Sequence, residues 1–220
     1  MGSASPSNVL WDLLLAAIPV LLGYGLYWCS GGMHRPPRLP LPLCWLLGLA
    51  WLAFLPNSCY LLTEGRHLLV DEQWASLRET AGSDRSAMLR LALWAGFFFT
   101  LSMLGVLCFT LAIRPVERLL RRVGWRPVFY APFLFLAVSL GVYLGLIVRL
   151  NSWDLATRPV RVLEAVMGAV TNSTALAAMG VFALLLWALY EALDLWLDAF
   201  LDRVREWVHP QGRGAGAPGG

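Results

Sequence analysis

"LPLPLCWLLGLAWLAFLPNSCYLLT", residues 39–63, contains no charged side chain. At 1.5 Å per residue a helix of this length covers about 37 Å, more than the roughly 30 Å of hydrocarbon in a bilayer. In lipid each backbone N–H and C=O must find its partner inside the chain, so such a stretch is read as a spanning helix. The same reading extends outward. Leu13–Met33, Leu91–Ile113, Pro127–Val148 and Ala165–Tyr190 are also free of charge. Across all 220 residues, 58% are hydrophobic and 14% charged. A soluble domain carries about 25% charged residues, so the surface this chain presents cannot be mainly aqueous.

The expected fold is therefore all-α. It is a polytopic membrane bundle of five transmembrane helices at about 9–33, 41–63, 89–113, 128–150 and 162–190. An amphipathic helix over 191–208 completes a single membrane domain over 1–208. The tail, residues 209–220 or "HPQGRGAGAPGG", lacks apolar side chains to pack and is expected to be disordered. No basic residue precedes the first run, and that run is longer than a signal-peptide core, so it is read as a retained span. The four cysteines lie in or beside apolar runs without a C-x-x-C, which reads as small buried hydrophobes and not a disulfide framework.

All 17 basic residues are arginine. The segments His34–Arg38 and Arg114–Arg126 hold seven of them in 18 residues; Glu64–Arg90 and Arg149–Glu164 hold seven in 43. Positive-inside bias then places the first pair in the cytoplasm, the N-terminus outside and the C-terminus inside. With five spans, helices two and four both run the same way. Their C-terminal ends share a membrane face whatever the absolute orientation.

Those two ends are the most polar in the bundle. In helix two, Pro56 cannot donate its amide and is expected to kink or end the helix near residues 54–57. The carbonyls it frees need donors, and the Asn57 amide is one source. Tyr60, Thr63, Glu64 and His67 follow at offsets of three and four, one stripe of a continuing helix. In helix four, Gly141 and Gly145 have the small-xxx-small spacing that lets helices approach closely. Arg149 marks the interface, with a planar fork suited to carboxylate or phosphate. Asn151, Ser152 and Asp154 suit the N-cap of a following helix, and Trp153 suits an aromatic belt. Thr171–Thr174, early in helix five, read as interhelical hydrogen-bonding groups.

"FLPNSCYLLTEGRHL" and "GVYLGLIVRLNSWD" resemble the two signatures of domain-of-unknown-function family 1361, uncharacterised bacterial multi-pass membrane proteins. The resemblance covers most of the chain, from about helix two to helix five. Pro56, Asn57, Tyr60, Thr63, His67 and Leu68 match the first signature. Gly141, Tyr143, Gly145, Arg149, Asn151, Ser152, Trp153 and Asp154 match the second. Glu64 stands where the family usually has aspartate, Leu146 where it has arginine, and Leu150 where it has tryptophan. The resemblance implies location in a bacterial cytoplasmic membrane and supplies no reaction.

Three readings of the polar ends follow. Glu64, His67, Arg149 and Asp154 form an ion-pair and capping network joining helices two and four. Alternatively, Arg149 holds an anionic lipid head group, with Asn57, Tyr60 and Thr174 as neutral partners; between the two faces only scattered Ser and Thr offer a polar path, so a small transporter is the weaker form. In the third, Glu64 or Asp154 serves as base and His67 as acid of an enzyme at the outer surface, or Glu64-x-x-His67 with Asp154 binds a metal. A single E-x-x-H is common by accident, so neither metal nor cofactor is expected. There is no phosphate-binding P-loop, H-E-x-x-H or G-x-S-x-G. The basic stretch Arg114–Arg126 reads as an anchor on anionic lipid and not as a nucleic-acid site. The partner expected is the bilayer; the oligomeric state is open. In the 191–208 helix, Leu193, Trp196, Leu197, Phe200, Leu201, Val204 and Trp207 form one face, and Glu191, Asp194, Asp198 and Asp202 the other. An acidic face fits poorly on anionic lipid, so this helix is expected to extend the fifth span and meet Arg114–Arg126, or to mediate self-association.

Overall fold

The computed structural model describes residues 6–31, 39–63, 74–150 and 152–208. Among them every regular element is a helix: α1 (Pro6–Cys29), α2 (Leu41–Phe54), α3 (Pro56–Thr63), α4 (Ala75–Thr80), α5 (Arg85–Arg122), α6 (Pro127–Leu146), α7 (Asp154–Thr157), α8 (Pro159–Thr171) and α9 (Ser173–Val208). Five spans are long and apolar enough to cross a membrane: α1, α2 with α3, α5, α6 and α9. The protein is an all-α, multi-pass membrane protein.

Packing follows from this order. α1 lies against α5 and against α2 and α3; α3 sits between α1, α5 and α6; α9 packs on α6 and crosses α5. Leu55, Phe109, Ile113, Val138 and Leu186 are buried where these helices meet. Leu21, Leu49, Phe133 and Leu184 are exposed on the outside. That exposed apolar girdle is the inverse of a water-facing surface and is what lipid contact requires.

The helix boundaries depart from expectation at three places: the end of α5, the start of α9 and the end of helix four. α5 runs through Arg114 and Pro115 to Arg122, where a loop was expected from Arg114. Proline opens the turn before it, but the Ala112 carbonyl there accepts the Trp51 indole N–H at 3.0 Å. The contact is possible because Gly23 of α1 faces it: a methyl group there would lie 2.6 Å from the Ala112 carbonyl oxygen. The fifth span begins at Ser173 and not at 162. Asn172 is extended (φ −89°, ψ 109°) and breaks the chain between α8 and α9. Its side-chain oxygen accepts from the amides of Thr174 (3.0 Å) and Ala175 (3.1 Å), capping α9. Thr171–Thr174 thus serve a helix start, with the Thr171 hydroxyl turned back to the Met167 carbonyl at 2.8 Å. Residues 191–208 extend the fifth span, continuing α9 without a break. Helix four ends at Leu146, four residues early, for a reason that belongs to the candidate site.

The tail 209–220 and residues 32–38 lie outside the described residues, as do Glu64, His67, Leu68 and Asn151.

Candidate functional site

The span of α2 and α3 breaks at Leu55, one residue before Pro56. Pro56 has no N–H, so carbonyls in the preceding turn lose a donor. The Ala53 carbonyl accepts the Ser152 hydroxyl at 3.1 Å. The Leu55 carbonyl accepts the Ser58 hydroxyl at 2.8 Å. Ser152 was expected to cap a following helix; it instead mends the break made by Pro56, ninety-nine residues earlier. Asn57, expected to supply such a donor, is buried in the same turn.

The proline and the tyrosine of the first stretch also meet the two glycines of the second. A methyl group at Gly141 would overlap the Pro56 ring, and one at Gly145 would overlap the Tyr60 phenol. Pro56 and Tyr60 are one helical turn apart, as are Gly141 and Gly145, so the two pairs seat in register. On its other side α3 touches α5. A methyl at Gly105 would lie 2.8 Å from Leu61 Cβ and 2.9 Å from the Ser58 carbonyl oxygen. The Ser102 hydroxyl reaches the Leu61 and Leu62 carbonyls at 3.3 Å each. α3 is therefore clasped between small residues of two neighbours, the arrangement that brings helix backbones together in lipid. The Thr63 hydroxyl donates to the Tyr60 carbonyl at 2.9 Å, closing the last turn of α3.

The chain reverses after α6. Ile147 is the C-cap, and its N–H still bonds the Tyr143 carbonyl at 2.9 Å. Arg149 has φ +60°, the one non-glycine residue with positive φ among those described. The Leu150 N–H then turns back to the Leu144 carbonyl at 3.0 Å. This reversal ends helix four early and carries Ser152 back to the level of Ala53. Leu150 is buried by it. Trp153 is half exposed and is the N-cap of α7 without a side-chain cap bond; Asp154, expected as a cap, is the first residue of α7 and is buried. Pro56, Tyr60 and Ser152 thus join the two stretches, Asn57 and Thr63 lie on α3 and Trp153 and Asp154 at the start of α7, with Arg149 exposed at the reversal. Glu64, His67 and Asn151 fall outside the described residues, and with them the Glu64-x-x-His67 pair and the ion-pair network built on it.

A family model described as protein of unknown function (DUF1361) matches residues 11–189. The chain belongs to the DUF1361 family. Comparison with curated proteins and with solved structures finds no match. The two stretches quoted above are thus the two halves of one joint: a proline break, the hydroxyl that bonds beside it, and a ring-on-glycine seam.

A second polar cluster lies near the C-terminal end of α5, where the acidic face of residues 191–208 was expected to meet Arg114–Arg126. Arg114, on 7% of its surface exposed, forms ion pairs with Asp194 and Asp198 of α9. Glu117 of α5 accepts from Arg121 Nε (2.9 Å) and Nη2 (2.6 Å), and from the Tyr190 hydroxyl. The acidic face of residues 191–208 does meet the segment from Arg114 onward, through Arg114 itself. The signal in the sequence was the i, i+4 pair Glu117–Arg121 beside Tyr190, Asp194 and Asp198, which also recur every four residues.

Proposed function

We infer that this DUF1361 protein is a multi-pass protein of a bacterial cytoplasmic membrane, with its N-terminus outside, whose outward polar patch holds an anionic head group on Arg149. The α3–α6 joint is the structural part of the patch: it fixes the reversal at which Arg149 stands. The observation that carries the reading is the backbone of Arg149. A left-handed residue with a side chain carries strain of about 1 kcal/mol, and glycine would make the same turn without it. An exposed arginine in that position makes sense if its guanidinium is needed. Its planar fork suits a phosphate or carboxylate better than a lysine ammonium does.

The test is Arg149→Gly against Arg149→Gln, each purified and exposed to anionic and zwitterionic lipid. Glycine is expected to keep or raise thermal stability while abolishing the preference for anionic lipid; glutamine loses the preference and keeps the strain. An Arg149→Gly protein that retains anionic lipid as the parent does would refute the reading.

A further inference from the structure

At the opposite membrane face, the turn from α5 to α6 borders an open groove of about 500 Å³ lined by Arg121, Arg126, Trp125, Val128 and Phe129, among others. Its floor is built firmly. Gly124 has φ +87°, and the amides of Gly124 and Trp125 bond the Arg121 and Leu120 carbonyls at 3.0 Å each, a Schellman closure that satisfies the end of α5. The two arginines differ in their commitments. Arg121 is held by Glu117. Arg126 makes no ion pair among the described residues and stands exposed as the N-cap of α6, with no side-chain cap bond. The first-turn amides of α6 therefore add positive potential beside its guanidinium. The rim is apolar: Trp125 is 56%, Val128 70% and Phe129 65% exposed. Val128 and Phe129 lie in the first turn of α6 and Trp125 just before it, so in a bilayer they would stand at one end of this span, toward the head groups. The neighbouring polar cavity, lined by Arg114, Glu117, Arg118, Arg121, Asp194 and Asp198, carries both signs of charge, and Arg114 and Arg121 there are already paired with its carboxylates.

We propose that the α5–α6 groove binds the phosphate group of an anionic phospholipid, with Arg126 on the phosphate and Trp125, Val128 and Phe129 against the acyl chains. The site is separate from Arg149, which lies at the other end of α6. Charge complementarity and continuity with the lipid-facing spans set its occupant.

The experiment reconstitutes the full chain in nanodiscs of phosphatidylcholine with a minor fraction of phosphatidylglycerol and counts retained lipid by native mass spectrometry. The parent protein is expected to enrich phosphatidylglycerol. Arg126→Gln is expected to lower its affinity about fivefold, the value of one arginine near an anionic surface. In an Arg149→Gln background, which removes the anion site proposed above, Arg126→Gln is expected to cause the same loss of about fivefold, and this separates the two sites. A parallel titration with inorganic phosphate distinguishes the source. A melting temperature that rises with phosphate in the parent but not in Arg126→Gln, without lipid enrichment, keeps the phosphate site and rejects the lipid. Arg126 is exposed, so the variant is expected to fold; equal retention of phosphatidylglycerol by parent and Arg126→Gln, with no phosphate effect, overturns the proposal.

Discussion

Where α3 meets α6, contact is made by uncharged groups: Pro56 and Tyr60 lie over Gly141 and Gly145, and a single hydroxyl, Ser152, serves the broken backbone at Ala53. Where α5 meets α9, contact is made by charge: Arg114 with Asp194 and Asp198, and Glu117 with Arg121 and Tyr190. The difference tracks depth. α5 has 38 residues and α9 has 36. At 1.5 Å per residue they are about 57 and 54 Å long, against roughly 30 Å of hydrocarbon. Both overshoot on the same face, and the ion pairs fall in the overshoot, close enough to water to keep charge affordable. Inside the lipid, where burying apolar area gives no drive between helices, close backbone approach is what remains, and glycine provides it.

The contrast predicts unequal responses to substitution. Gly145→Leu forces a branched side chain into the Tyr60 ring and is expected to cost about 3 kcal/mol, read as the loss of folded protein in a thermal or detergent titration. At the charged end, Arg114→Met leaves two carboxylates without their partner and is expected to cost about 2 to 3 kcal/mol; replacing Arg114, Asp194 and Asp198 together by apolar residues should recover most of it. A triple variant no more stable than Arg114→Met would mean the charges are needed for more than one another. Ser152→Ala removes one hydrogen bond to a proline-freed carbonyl and is expected to cost about 1 kcal/mol. The smallest effect belongs outside the spans. Asp84 caps α5, accepting from the Ser86 amide (2.9 Å) and hydroxyl (2.6 Å), and these bonds hold its carboxyl below the usual carboxylate range. A depressed folded-state value contributes stability that is present above the ordinary carboxylate range and is lost as pH falls through the folded value. Asp84→Ala should therefore flatten the acid limb of the stability profile slightly, read as a smaller fall in melting temperature between neutral and acid pH than in the parent.

The spans were legible because hydropathy is local: twenty uncharged residues in a row are visible without any partner. The G-x-x-x-G spacing of Gly141 and Gly145 likewise announced a close contact. Its occupant was not legible, since Pro56 and Tyr60 lie more than eighty residues earlier and only the odd span count put them on the same face. The end of α5 was misread because Arg114 and Pro115 both look like terminators. What overrules them is distant: Asp194 and Asp198 pair the charge, and Trp51 bonds the Ala112 carbonyl in the turn before Pro115. The break at Asn172 carried a signal, since asparagine before a helix is a strong cap, but an unbroken apolar run concealed it. The left-handed Arg149 carried none, because arginine has no tendency toward that conformation and only the returning chain imposes it.

The seam between α3 and α6 is tested most directly by a double-mutant cycle at Tyr60 and Gly145. Tyr60→Ala, Gly145→Leu and the double variant are compared with the parent by equilibrium unfolding. If the ring occupies the space that the glycine leaves, leucine at 145 should be far less costly once the ring is gone, with a coupling of at least about 1 kcal/mol. Costs that simply add, with leucine equally damaging in both backgrounds, would contradict the account.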